Sequence, residues 1–245
     1  MKDFDPRTHT FREGTAAIYD DHPRGDEAET VAFLADLAGD GAVLELAIGT
    51  GRIAVPLAER GVRVDGIDFS EPMVERLRAK RDDLAVTIGD FADVAVDGTY
   101  RLVYLVYNTL FNLLTQDDQV RCFVNVAAHL EDGGAFVVEA FTPGYLYALR
   151  DGQYVDAERI EVDAVTFDVG RHDPVAQILD ESHVTLSAAG IRVAPIVCRY
   201  AWPSELDLMA RVAGLRLRAR YGGWLGEPFE ADSRRHVSVY EKAGA

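Results

Sequence analysis

The chain has 245 residues, 48% of them apolar, and a formal charge of −16; that length suits one α/β domain with an insertion, and the acidic balance disfavours nucleic acid and anionic membranes as partners. No window approaches the roughly 20 apolar residues of a membrane helix, and the charged start Met1-Lys2-Asp3-Phe4 lacks the apolar stretch of a signal peptide. The two cysteines, Cys122 and Cys198, lie far apart in apolar surroundings and read as reduced buried thiols, so a soluble cytoplasmic protein is expected.

Residues 1–9 read as irregular, 10–20 as a short helix and 21–26 as a loop. A helix follows from Asp26 to Ala38, with Val31, Leu34, Leu37 and Ala38 at helical spacing. Strands at 42–47, 62–67, 84–88, 101–107 and 135–141 then alternate with helices at 52–60, 71–80 and 117–130. Ser70 caps the second of these helices and Pro72 sits in its first turn. Apolar strands separated by helices predict a parallel sheet covered on both faces.

The pattern changes after Pro143-Gly144. Alternating runs at 160–169, 176–186 and 191–202, with turn signals at Asp173-Pro174 and Ala189-Gly190, predict an inserted antiparallel sheet. A helix at 204–213, capped by Ser204, and strands at 215–221 and 236–240 close the chain. Arg216, Arg218 and Arg220 alternate with apolar residues, as on the solvated face of a strand. The division is a core of 1–143 plus 203–245, and an insertion of 144–202 expected to be an acceptor lid or a homodimer contact.

Residues 43–51, Val-Leu-Glu-Leu-Ala-Ile-Gly-Thr-Gly, carry the chemistry. Gly49 and Gly51 remove Cβ atoms that would hold a ligand off the backbone. Glu45 adds a carboxylate facing the same crevice. Two cofactors compete. Residues 49–54 fit the dinucleotide fingerprint G-x-G-x-x-G/A of an NAD(P)-dependent oxidoreductase. The run 44–51 also resembles the first motif of the class I S-adenosylmethionine-dependent methyltransferases, with Ala47 where that family has its first glycine. Further resemblance lies in Gly66-Ile67-Asp68-Phe69-Ser70-Glu71-Pro72-Met73, in Gly89-Asp90-Phe91, in Tyr107-Asn108-Thr109-Leu110 and in the turn 130–134. It covers about residues 40–140 plus the terminal strands.

The resemblance implies an α/β fold: a Rossmann-like seven-stranded mostly parallel sheet with helices on both faces, plus the small antiparallel insertion. It implies S-adenosylmethionine as cofactor, with S-adenosylhomocysteine as its product. Asp68 would take the ribose hydroxyls, since a carboxylate accepts two hydrogen bonds. Asp90 would accept from the adenine amino group, with Phe69, Met73 and Phe91 near the ring. Tyr107 and Asn108 would meet the methionine end. A dehydrogenase explains Asp68 but not Glu45 or Asp90, and this cofactor has no pyrophosphate to require a cation in the loop. A binding protein that keeps the fold without turnover is the other alternative.

Methyl transfer asks chiefly for a nucleophile held in line with the methyl carbon. An oxygen acceptor also wants a base, and a neutral amine does not. Base candidates are Tyr19, His22, Tyr107 and His236; Tyr19-Asp20 resembles a pair that closes over the cofactor in this family. Substrate contacts are expected from Phe141, Tyr145, Trp202 and Trp224, among other late aromatics such as Tyr147, Tyr154, Tyr221 and Phe229. No H-x-x-x-H or C-x-x-C pair occurs, so no metal is expected. The acceptor is expected to be a small molecule methylated on oxygen or nitrogen, the insertion resembling that of methyltransferases acting on nucleotide sugars and secondary metabolites.

Overall fold

A computed structural model describes residues 4–21 and 23–242. The N-terminal stretch is not one helix. It forms α1 (Pro6–His9), α2 (Glu13–Ala16) and a 3-10 turn at Tyr19–Asp21, because Gly14 and the β-branched Thr8, Thr10 and Thr15 give little intrinsic helix support. Next come α3 (Glu27–Ala38), β1 (Val43–Leu46), α4 (Ala54–Glu59), β2 (Val64–Asp68), α5 (Glu71–Lys80) and β3 (Ala85–Ile88). Ser70 caps α5 by accepting from the Met73 N–H. The chain continues through β4 (Tyr100–Leu105), α6 (Gln116–His129) and β5 (Leu130–Phe141). Residues 130–134 are therefore no turn: β5 runs through them, with a register shift against β4 between Tyr100 and Leu102.

The insertion holds four strands rather than three: β6 (Gln153–Ile160), β7 (Ala164–Asp173), β8 (Ile178–Ser187) and β9 (Gly190–Arg199). The run 160–169 starts at the last residue of β6, turns at 161–163 and continues as β7, so β6 itself is the strand the sequence did not show. β6 is hard to see in sequence because a register shift between Ala157 and Arg159 breaks its alternation. β9 stops at Arg199, and α7 (Pro203–Val212) begins with Pro203 at its first position. Ser204 is thus inside the helix, not its cap. β10 (Leu215–Tyr221) and β11 (Arg235–Lys242) complete the chain.

The main sheet has the order β10-β11-β5-β4-β1-β2-β3. β1–β5 pair in parallel, and β11 runs antiparallel to both β5 and β10. Successive strand residues feed opposite faces. Leu44, Val103 and Val138 pack with Phe123 and Val126 of α6 and Leu206 and Met209 of α7. Val43, Leu102 and Val137 pack with Leu34 of α3, Leu57 of α4 and Leu77 of α5. After β1 the chain adds strands on one side, then returns to lay β4 on the other. The crevice at the carboxyl ends of β1 and β4 is the topological switch point, where open α/β sheets bind ligands. No helix among the described residues is long and apolar enough to cross a membrane.

Arg220 departs from the solvated pattern of Arg216 and Arg218. Its side chain is 12% exposed and ion-pairs with Asp207 at 2.5 Å. Both cysteines are buried and free.

Candidate active site

The carboxyl edge of β1, β2 and β3 gathers three acids. Glu45 lies one residue inside β1, opposite Gly66 of β2 and Tyr104 of β4. It is 3% exposed and accepts from the Tyr104 hydroxyl at 2.8 Å. Burial pushes its pKa up to about 8, against the pull of Tyr104 and Arg52. Asp68 ends β2, and its carboxylate accepts from the Gly49 N–H at 2.8 Å and the Ser70 N–H at 2.7 Å. Burial lifts its pKa above the ordinary value even so. Asp90 follows β3 and accepts from the Ala92 N–H at 2.9 Å; its second oxygen takes no hydrogen bond among the described residues.

The turn after β1 is left-handed at Ala47 (φ +56°), Gly49 (φ +56°) and Gly51 (φ +79°). Alanine in that region costs about 1–2 kcal/mol, which is why glycine is usual there. A Cβ on Gly49 would meet only the Ala47 carbonyl, 3.9 Å away, so its open side is free for a ligand. Gly51 differs from expectation. A Cβ there would strike Val55 at 2.9 Å and Leu77 at 3.1 Å, so this glycine serves helix packing. These residues fit S-adenosylmethionine: a close-approach glycine, a buried carboxylate with lone pairs left for a diol, and a second buried acid beside the turn that a cation would neutralise.

Phe69 and Met73 lie just past Asp68. Phe69 meets Phe11 edge-on at 5.9 Å, and Met73 is buried. Phe91 is buried in the main core with Phe111 and Phe123, so it is a packing residue first.

At the exit of β4, Tyr107 (φ +53°) and Asn108 (φ +63°) are consecutive left-handed residues, a strained arrangement of the kind that clusters at functional sites. Both are clamped to β5. Glu139 accepts from the Tyr107 N–H at 2.7 Å, and the Asn108 Oδ1 accepts from the Phe141 N–H at 2.7 Å. Arg235 bridges Glu139 and Asp26. The Tyr107 ring stays 41% exposed, with the Arg24 guanidinium 3.9 Å from its centroid.

The N-terminal segment covers this edge. Thr50 of the glycine turn donates to Asp20 at 2.6 Å, and Lys80 pairs with Asp20 at 2.6 Å. Ser70 donates to the Phe11 carbonyl, and Thr10 donates to the Pro195 carbonyl of β9. The segment therefore ties the cofactor edge to the insertion. Glu27 fixes Arg24 by accepting from its backbone N–H at 2.7 Å.

Between this segment, the β4 exit and the insertion lies a cavity of about 530 Å³. Tyr19, Tyr107, Asn108, Phe141 and Tyr145 line it. Three other expected residues do not. His236 is fully buried in β11 against Ser238 and Phe229, and burial pushes its pKa down to about 3, so it is no base. Trp224 is 3% exposed and packs edge-on against Phe33 in the core under α3. Trp202 flanks α7 and meets Tyr147 at a tilt, ring centroids 5.7 Å apart, outside the cavity. His22 lies outside the described residues.

The sequence reading missed one face of the insertion sheet. Glu158, Asp168, Glu181, His183, Arg192 and Ala194 line the cavity wall. Donor atoms of Glu158, Asp168 and His183 come within 4.8 Å of one another. The period-two positions 166 and 168 on β7, and 179, 181 and 183 on β8, were the available signal; without the strand registers nothing showed that they met.

Comparison with known proteins agrees with this geometry. A methyltransferase-domain family matches residues 43–134. The cypemycin N-terminal methyltransferase of a Streptomyces species is 31% identical over 207 residues, 82% of each chain. A Streptomyces venezuelae dTDP-3-amino-3,4,6-trideoxy-alpha-D-glucopyranose N,N-dimethyltransferase is 26% identical, over 69% of this chain and 84% of its own. Among solved structures, the CcbJ methyltransferase of Streptomyces caelestis is 40% identical, superposes with a TM-score of 0.92, and covers 98% of this chain and 100% of its own. With the acids, the glycine turn and the strand order in place, the chain belongs to the class I S-adenosylmethionine-dependent methyltransferases.

Proposed function

We propose that this enzyme methylates an amine nitrogen of a small molecule held in the 530 Å³ cavity. The carrying observation is that the cavity begins at Tyr107 and Asn108, on the cofactor edge, and ends on the insertion sheet. S-adenosylmethionine, when bound, supplies a methyl group activated by a sulfonium charge. Asp68, Asp90 and the Gly49 backbone would hold its nucleoside, and Glu45 would face its cationic half. The strained Tyr107-Asn108 pair sets the cavity's floor, and Tyr19, pinned through Asp20 to the glycine turn, excludes water from above. Nitrogen is favoured over oxygen by the relatives, named for N-terminal and amino-sugar N-methylation.

In this reading residues 1–143 and 203–245 are the methyl-donor core, and 144–202 are the acceptor lid. A second copy on the insertion is supported by its outer face, where Val155, Ile160, Val169, Ile191 and Val193 are exposed; sedimentation velocity at micromolar concentration tests this, and a monomer throughout ends it. A cytoplasmic site of action fits the two unpaired thiols. The test of the reaction is incubation with methyl-labelled S-adenosylmethionine and matched panels of amines and alcohols. Label on nitrogen is expected, and label on alcohols alone contradicts the proposal.

A further inference from the structure

We propose that His183, oriented by Asp168, removes the proton from an acceptor that arrives as an ammonium ion, and that Glu158 and Glu181 recognise that cation. This deepens the amine reading above and rests on it. His183 of β8 and Asp168 of β7 are directly opposed across the antiparallel pair. The Nδ1–H of His183 donates to Asp168 Oδ1 at 2.6 Å, because a carboxylate can only accept. That contact fixes the tautomer and leaves Nε2 as the basic nitrogen. Glu158 Oε2 is 3.5 Å from Nδ1, and Glu181 Oε1 is 3.7 Å from Nε2. The register shift in β6 turns Glu158 toward this wall, and the neighbour of His183 on β9 is the small Ala194.

Three carboxylates around one imidazole repel one another unless a cation joins them. Of the arginines lining the cavity, Arg24 lies over the Tyr107 ring and Arg192 reaches Thr185, and neither forms an ion pair with these carboxylates among the described residues; Arg159 sits on the same wall, its Nε 3.8 Å from Glu161. Tyr154 donates to Glu181, which holds that carboxylate in place. An alkylammonium is the chemistry that fits the remaining charge. On docking, one of its N–H bonds breaks with the electron pair left on nitrogen. The proton goes to His183 Nε2, and the imidazolium is stabilised between Asp168, Glu158 and Glu181. The freed pair is what methylation requires of its nucleophile. The proton then leaves through the open cavity to solvent.

The Asp168 contact, then the charges of Asp168, Glu181 and Glu158, hold the His183 pKa above its ordinary value of 6.5, against the effect of burial. Arg159 of β6 and Arg192 of β9 also face this wall, with Tyr145 and Tyr107 beyond it. Since the neutral imidazole is the active form, the rate rises as pH rises through that pKa.

The test uses the full chain loaded with S-adenosylhomocysteine. Pyrrolidinium and the neutral ring tetrahydrofuran are titrated by calorimetry, and His183 is titrated by NMR. Pyrrolidinium should bind at least about tenfold more tightly than tetrahydrofuran, and that preference should vanish in the double variant E158Q/E181Q. Asp168→Asn should lower the His183 pKa and move the acid limb of the rate profile down with it. Two sources of the amine are separated by turnover: a peptide with a free N-terminal amine and a dTDP-3-amino sugar. On the better of them, His183→Gln should lower kcat about a hundredfold while S-adenosylhomocysteine affinity is kept. Equal binding of the two rings, no binding of either, an unmoved His183 pKa in Asp168→Asn, or kcat within threefold of wild type in His183→Gln would each overturn the proposal. So would turnover that needs added Mg²⁺ or Mn²⁺ and is lost to chelator, which would give Glu158, Asp168 and His183 to a metal ion. Failure of S-adenosylhomocysteine to bind at all would instead strike the methyltransferase reading.

Discussion

Glu45 gives a quantitative prediction, because one substitution isolates one titration. Its carboxyl is buried on β1, accepts from Tyr104, and has its pKa pushed from 4.5 to about 8 by burial. The folded pKa exceeds the unfolded one, so the neutral acid is the form that stabilises the fold. That stabilisation is complete below pH 4.5 and is lost as pH rises toward 8. By linkage the loss is ~1 kcal/mol at pH 5, ~3 kcal/mol at pH 7 and ~5 kcal/mol at pH 9. Glu45→Gln keeps the shape and an acceptor for Tyr104 but cannot ionise. Urea unfolding of both proteins from pH 5 to pH 9, without cofactor, should show the variant gaining ~4 kcal/mol over wild type across that range. A stability difference independent of pH would mean that Glu45 is not the buried acid described here.

Four further outcomes follow from the site. Asp68→Ala should weaken S-adenosylhomocysteine binding by ~1–3 kcal/mol, since a charged hydrogen-bonding group is lost; unchanged affinity by calorimetry would place the ribose elsewhere. His236→Gln should leave kcat within about twofold, because the imidazole is neutral and sealed in β11; a hundredfold loss in steady-state assays would restore it as a base. Trp224→Ala should destabilise the fold by ~3–5 kcal/mol through a core cavity, with the acceptor KM of the folded enzyme unchanged; a raised KM at undiminished stability would return Trp224 to the acceptor site. Ala47→Gly relieves a left-handed alanine worth about 1–2 kcal/mol but frees the unfolded chain by a comparable amount, so thermal unfolding should move little; a large drop in midpoint would show that the methyl group packs.

The donor half of the molecule was legible because its signals are local. A strand, a glycine turn and a helix lie within about fifteen residues, and each acid sits at the end of its own strand. Asp68 could be placed at the crevice from the run Gly66-Ile67-Asp68 without knowing what lay beside it. Even there, sequence could not separate roles that depend on packing: Gly51 faces Leu77 rather than a ligand, and Phe91 lies in the core. The acceptor half resisted because its residues meet only through strand pairing. His183 and Asp168 are fifteen positions apart and join through one antiparallel register, while a shift in β6 decides where Glu158 points. Aromatic content misled in the same way. Trp224 and Trp202 are adjacent in composition to a binding pocket, but tertiary packing assigns them to the α3 core and to the flank of α7.

The most direct test is a crystal structure of the enzyme with S-adenosylhomocysteine. The ribose should contact Asp68, the adenine should lie by Asp90, and the sulfur should face the cavity beside Tyr107 and Asn108. A nucleoside bound away from the carboxyl ends of β1 and β2, or a sulfur turned from that cavity, would contradict the account.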